Sequence, residues 1–168
     1  MDALGIASAD IGLPGASAQA RAEVVALAKA TARLGLRPNQ AVRTHPADVA
    51  SAIEASVEAG MPIETCAFIG SSPIRRTSEN WSVDRMLERV EESVGLAVRS
   101  GLPVMFVTED TTRADPETLV RLYDAAIAAG AARICASDTA GHATPEGVRN
   151  LLTFLWNDVV RGRAGKVD

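Results

Sequence analysis

The chain is poor in aromatic residues, which fill 4% of its 168 positions, and holds only two cysteines and two histidines. Scarce aromatics speak against a sandwich anchored on large buried rings. They favour small aliphatic side chains, a core that suits helices laid closely on a parallel sheet. Cys66 and Cys135 sit in separate apolar runs, far apart in sequence. They read as reduced, buried small hydrophobes rather than a disulfide framework. No Cys/His spacing fits a zinc site, and neither G-x-G-x-x-G nor G-x-x-x-x-G-K occurs. No run approaches the ~18 apolar residues of a membrane span. Met1-Asp2-Ala3-Leu4 lacks the basic-then-apolar order of a signal peptide. A basic excess is also missing: 17 Lys and Arg stand against 21 Asp and Glu, a net charge of −4. That balance argues against nucleic acid or an anionic membrane as partner. The expectation is a cytoplasmic protein without a membrane segment.

What is present is a globular composition, 47% hydrophobic and 23% charged, which excludes disorder and coiled coil. The length fits one domain. Along the chain, short β-like runs alternate with longer helical ones. Ile6 to Leu13 reads as a strand ending at Pro14-Gly15, and Ser17 caps a helix carrying Val24, Leu27, Ala28 and Leu34. Pro38-Asn39 reads as a turn before a strand over Gln40 to His45, and Pro46 opens a helix that Gly60 stops. Ile63 to Ile69 is the third strand, Gly70 to Asn80 a polar loop, and Ser82 the cap of the next helix. Val104 to Thr108 and Arg133 to Ser137 are the fourth and fifth strands. Asp115-Pro116-Glu117 and Thr144-Pro145-Glu146 open the last two helices, the final one running to about Val160. Lys166-Val167-Asp168 looks like the opening of another strand. Five strands alternating with five helices predict βαβ units and a parallel sheet.

Polar residues gather just past the strand ends: Arg43 and His45, Ser71-Ser72, Thr108-Glu109-Asp110, and Ser137-Asp138-Thr139. In an α/β barrel that edge carries catalysis, and an open sheet binds ligands there too. Period-2 alternation puts Met105, Val107 and Glu109 on one face, and Cys135, Ser137 and Thr139 on one face of the next strand. Val104, Phe106, Ile134 and Ala136, the more apolar set, suit the helical layer. Glu109 and Thr139 then point inward, where a carboxylate and a hydroxyl can transfer protons and orient a substrate. The same residues also read as a solvated loop with an ion pair, and Asp138 or Thr139 as turn-tying groups. Thr144 reads as a helix cap, and His45 and His142 as loop hydrogen-bonders. Arg75-Arg76 reads either as a grip on a phosphate or carboxylate, or as a pair of surface arginines.

At these residues a family resemblance can be stated. The chain resembles the 2-isopropylmalate synthase and homocitrate synthase family, metal-dependent Claisen-condensing TIM barrels that also include hydroxymethylglutaryl-CoA lyase. Five segments carry the likeness, in the family's order: Asp10-Ile11-Gly12-Leu13-Pro14, Arg43-Thr44-His45, Phe68-Ile69-Gly70-Ser71-Ser72-Pro73, Val107 to Arg113, and Asp138 to Pro145. The resemblance implies an acyltransferase that joins acetyl-CoA to a 2-oxo acid and hydrolyses the thioester, in amino-acid biosynthesis such as that of leucine, as a homo-oligomer. It implies a divalent metal, Mg, Mn or Zn, as Lewis acid. Glu109 matches the family's active-site glutamate and Thr139 the threonine that holds the oxo acid's carboxylate. Cys135 and Ser137 fall where members line the same pocket. Cys66 stands where some carry a histidine and Val107 where some carry a serine, which leaves the oxo acid open.

The family's metal ligands, an Asp of the first strand and a His-x-His pair of the seventh, match no residue here, nor does its first-strand arginine. Asp10, His45 and His142 are not expected to replace them. The fold expected is a partial (β/α)₈ TIM barrel, strands two to six, in a single incomplete domain over residues 1–168 that is inactive alone. Two alternatives stay open: a lyase of the same superfamily, and a non-catalytic half-barrel that self-associates.

Overall fold

Each α-helix among the described residues starts at a polar cap. A computed structural model describes residues 4–163 and residue 167. The strands are β1 (Ser8–Asp10), β2 (Arg37–Arg43), β3 (Glu64–Gly70), β4 (Val104–Glu109) and β5 (Arg133–Ala136). The helices are α1 (Ala18–Arg33), α2 (Pro46–Ala59), α3 (Pro73–Ser78), α4 (Val83–Arg99), α5 (Pro116–Ala128) and α6 (Pro145–Leu155). Ser17, His45, Ser72, Ser82, Asp115 and Thr144 cap them in turn, each side chain accepting a backbone N–H of the first turn. Proline opens α2, α3, α5 and α6, where its missing N–H is not needed.

The five strands are all parallel and lie in sequence order, β1-β2-β3-β4-β5, curling into a half-barrel. This is the parallel βαβ sheet that the alternation of strands and helices predicts and the partial TIM barrel that the family resemblance implies. The outward face of the sheet, with Val42, Ala67, Ile69, Val104 and Phe106, is buried against Val49, Val90, Val94, Leu119 and Tyr123 of the helices. Phe106 and Tyr123 meet edge to face, with centroids 5.9 Å apart. A smaller cluster, centred on Val24, Ala28 and Ile63, seats α1. No described helix is long and apolar enough to cross a membrane.

The structure corrects three boundaries. β1 spans only Ser8–Asp10, because the Asp10 carboxylate accepts the Gly12 N–H at 2.9 Å and turns the chain. β2 begins at Arg37, so Pro38-Asn39 is strand and not turn. Proline is tolerated there because β3 pairs β2 only from Asn39 onward, so no ladder bond is lost at Pro38. The expected loop from Gly70 to Asn80 contains α3, whose cap and first residue are Ser72 and Pro73. α6 ends at Leu155 and continues as a wider helical turn, Trp156–Val160. Of the tail expected to open a strand, Lys166 and Asp168 lie outside the described residues, and Val167 makes a single bridge.

The chain after β4 is fixed by a dense polar turn. Asp110 adopts φ +62°, in the left-handed region that aspartate tolerates better than most residues, and is buried. Its carboxylate takes two hydrogen bonds of 2.7 Å from Arg113. The Arg113 guanidinium, helped by Ser72, holds the Asp110 carboxyl below the usual carboxylate range against the opposing effect of desolvation. Behind it, Tyr123 Oη donates to Cys135 O at 3.1 Å and lies 2.5 Å from Thr108 Oγ1. Thr111 Oγ1 donates to Thr108 O at 2.6 Å and accepts the Ser137 N–H at 2.9 Å. Thus β4, β5 and α5 are tied through three hydroxyls.

Tyr123→Phe keeps the ring and removes the hydroxyl, leaving Thr108 and Cys135 O under-satisfied in the core. It should lower unfolding stability by about 1–2 kcal/mol in a denaturant melt. A carboxylate with a depressed native pKa contributes stability that is present at neutral pH and lost as pH falls below about 4. Arg113→Gln should therefore lower stability at pH 7 more than at pH 3 and flatten the acid limb of a pH–stability curve. An equal loss at both pH values would show that the ion pair contributes nothing.

Candidate active site

Register places the inward side chains in tiers. On β3 and β4, Cys66 sits beside Met105, Phe68 beside Val107, and Gly70 beside Glu109, while Cys135 of β5 sits beside Val107. The floor is an ion pair that bridges over β4, with Arg133 Nη1 donating to both Glu64 oxygens at 3.0 and 2.8 Å. Above it opens a cavity of about 380 Å³ that brings together Cys66, Val107, Glu109, Cys135 and Ser137, five of the six residues expected from the sequence. Phe68, Met105, Asn39 and Asp10 complete its walls. The sixth residue, Thr139, is exposed and does not line this cavity. Its hydroxyl accepts the Asp110 N–H at 2.8 Å, the turn-tying role that the sequence also allowed.

The cavity is electrically quiet below and charged above. Burial, with the nearby Glu64 and Asp10 charges, pushes the Cys66 thiol up to about 12, so it stays protonated and serves as apolar wall. Glu109 stands at the top, its Oε1 3.7 Å from Arg75 Nε. Arg75 also reaches Glu79 at 3.3 Å. Gly70 makes room for this arginine: a Cβ at Gly70 would lie 2.8 Å from Arg75 Nε. The glycine of the Phe68-Ile69-Gly70-Ser71-Ser72-Pro73 segment thus lets α3 fold down over the end of β3.

On the other side of Glu109 lies a second cavity of about 790 Å³, lined by Arg43, Arg75, Arg85 and Arg89 among others. Arg43 is held by Asp48 in a two-bond pair of 2.6 and 2.9 Å. Arg89 lies over the Trp81 ring at 5.1 Å and donates to Thr44 O at 3.4 Å. Arg85 and Arg89 were not singled out from the sequence. Their spacing of four on α4 was the available signal, because it puts both on one helix face. His45 Nδ1 accepts the Ala47 N–H as the α2 cap, and His142 lies 3.6 Å from Asp138, whose carboxylate accepts the N–H groups of His142 and Ala143. Among the described residues no three His, Cys, Asp or Glu side chains are placed to hold a metal ion. The donors present therefore do not fit the divalent metal that the resemblance implies, and no step below is routed through one.

Comparison with known proteins agrees with this architecture. The chain is 36% identical over 156 residues to the 2-isopropylmalate synthase of Xylella fastidiosa (strain M23), an alignment covering 91% of this chain and 29% of that protein. It is 32% identical over 169 residues to homocitrate synthase AksA of Methanocaldococcus jannaschii, covering 98% of this chain and 39% of that one. The chain thus spans well under half the length of these curated relatives. Among solved structures, the HMG-CoA lyase of Bacillus subtilis superposes with a TM-score of 0.58 at 22% identity, covering 72% of this chain and 41% of that one. The HMG-CoA lyase from Brucella melitensis gives 0.58 at 19%, covering 75% and 45%. At that identity these two show the fold alone. The family profile described as HMGL-like matches residues 1–165, and with that reach and the shared half-barrel the chain belongs to the HMGL-like family.

Proposed function

We propose that this chain is the carboxylate-bearing part of an acyltransferase site that condenses acetyl-CoA with a 2-oxo acid. The observation that carries the reading is the position of Glu109, which forms the partition between a small, mostly apolar cavity and an arginine-lined one. The first suits a small oxo acid, and the second suits the phosphates of CoA, which arginine binds through its planar fork. The relatives at 32–36% identity are synthases, which favours bond formation over the lyase direction.

In this reading the methyl carbon of acetyl-CoA gives up a proton and attacks the ketone carbon of the oxo acid. The new carbon–carbon bond leaves an alkoxide that takes a proton, and water then cleaves the thioester to release CoA and a carboxylate. Glu109, at the junction of the two cavities, supports the proton transfers and orients the oxo acid. Ser137 presents a hydroxyl from the cavity wall. Thr139, outside this cavity, ties the chain after β5 to the Asp110 N–H, and the family resemblance alone gives it the oxo acid's carboxylate. Cys66, Val107 and Cys135 bound the oxo acid's side chain.

A chimera tests this directly: the chain replaces the matching 156-residue stretch of the Xylella fastidiosa synthase, and CoA release is followed with acetyl-CoA and a panel of 2-oxo acids. Glu109→Gln should lower turnover by about 10²–10⁴-fold with the fold intact. Unchanged turnover removes Glu109 from its role, and a folded chimera silent with every oxo acid sinks the reading.

A further inference from the structure

We infer that Arg75 is a positioning residue for Glu109: its guanidinium engages one carboxylate oxygen, so that the other is presented for proton transfer. The inference rests on the reading of Glu109 as the proton carrier and names the residue that orients it.

The side chain of Arg75 takes the place that a β3 side chain would have beside Glu109. Register pairs Gly70 with Glu109 across the ladder. A Cβ on Gly70 would lie 2.8 Å from Arg75 Nε and 3.0 Å from its Cβ and Cγ. The stem of the arginine therefore rests on the bare backbone of the neighbouring strand. The two serines between Gly70 and α3 fix both partners. Ser71 donates its N–H at 3.0 Å and its hydroxyl at 2.8 Å to Glu109 O. Ser72 Oγ accepts the Arg75 N–H at 3.4 Å. Both serines are buried, and a buried, satisfied polar joint is a rigid one.

The guanidinium is used unlike others in the chain. Arg43 and Arg113 each turn the Nε and Nη2 edge onto a single carboxylate, with bonds of 2.6 to 2.9 Å. Arg75 splits the same edge: Nη2 lies 3.3 Å from Glu79 Oε1, and Nε 3.7 Å from Glu109 Oε1. Its Nε is buried and donates no hydrogen bond among the described residues. Closing on Glu109 would remove that cost. With the two side chains 40% and 30% exposed, the pair contributes little to stability. What it sets is direction. Without Arg75, the Glu109 carboxylate would be drawn toward Arg43, Arg85 and Arg89 of the outer cavity.

Two measurements test this. In the whole chain, nitrogen-labelled, the Arg75 Nε–H NMR signal is identified by its loss in Arg75→Gln and followed in Glu109→Gln. It should move, and a signal that Glu109→Gln leaves in place overturns the inference. In the chimera with the Xylella fastidiosa synthase, turnover is measured for Arg75→Gln, Glu109→Gln and the double variant. Arg75→Gln should lower kcat by about 10–10²-fold, the cost of misplacing a reacting group by ~1 Å. KM for the oxo acid should change little. In the Glu109→Gln background the same substitution should cost nothing further, because its effect passes through that carboxylate. Full turnover in Arg75→Gln, or an equal loss with and without Glu109, overturns the inference and leaves Glu109 in its role. Unchanged turnover in Glu109→Gln, or a folded chimera silent with every oxo acid, overturns the reading beneath it as well.

Discussion

The turn after β4 is the constraint on which the candidate site depends. A strand side chain points inward or outward according to position, and the direction of Glu109 at the strand's last residue is secure only if the next residue is fixed. Asp110 fixes it by leaving the extended conformation at once, at φ +62°. A left-handed aspartate with a buried carboxylate is expensive by itself. Arg113, three residues on, answers the charge with two bonds, while the Asp110 N–H finds Thr139 and the Thr111 N–H finds Ser137 O at 3.0 Å. The segment from Val107 to Arg113, one of the five that carry the family resemblance, is therefore one hydrogen-bonded object. Its residues stand together because each satisfies a group that another has buried.

The same economy of small groups governs the packing. With few aromatic side chains, the outward face of the sheet is filled by Val42, Ala67, Ile69 and Val104, with Phe106 edge to face against Tyr123. Alanines on the helices, Ala52 and Ala97 among them, let the helical layer approach closely. The inward face cannot be closed by five strands, so its side chains remain partly exposed. The apolar stripe of α6 is only half used: Leu155 and Val159 are buried, while Leu152 and Trp156 stand beside Ile134 and Ala136 along an apolar groove of about 600 Å³. Val148 is exposed on the same helix.

Most of this was legible because its signals are local. Caps with proline behind them marked the starts of α5 and α6, and alternation sorted Val104 and Phe106 from Val107 and Glu109 before any register was known. Local reasoning failed where a neighbour decides. Pro38 reads as a turn unless one knows that β3 does not pair with it. Ser72-Pro73 carries a helix-start signal, but a helix as short as α3 shows too little periodicity to be seen. Arg85 and Arg89 carried no signal beyond their spacing, and only the packing of α4 against β3, β4 and α2 turns them toward a cavity. Thr139 illustrates a different limit, since inward alternation and a turn-tying hydrogen bond are both consistent with one hydroxyl.

What the three-dimensional arrangement adds is a separation of charge along the site. The floor pair of Arg133 and Glu64 cancels, the thiol and thioether tier above it is neutral, and the first unbalanced charge met on rising is a carboxylate at the strand ends. Beyond that carboxylate the order inverts: four arginines line the wall, Arg43 and Arg75 paired there with Asp48 and Glu79. Gly70 makes the inversion sharp, because only a residue without Cβ lets Arg75 lie within 3.7 Å of Glu109 across the end of β3. Glu109 lines both cavities, and under the proposed function that boundary is where a proton carrier is needed.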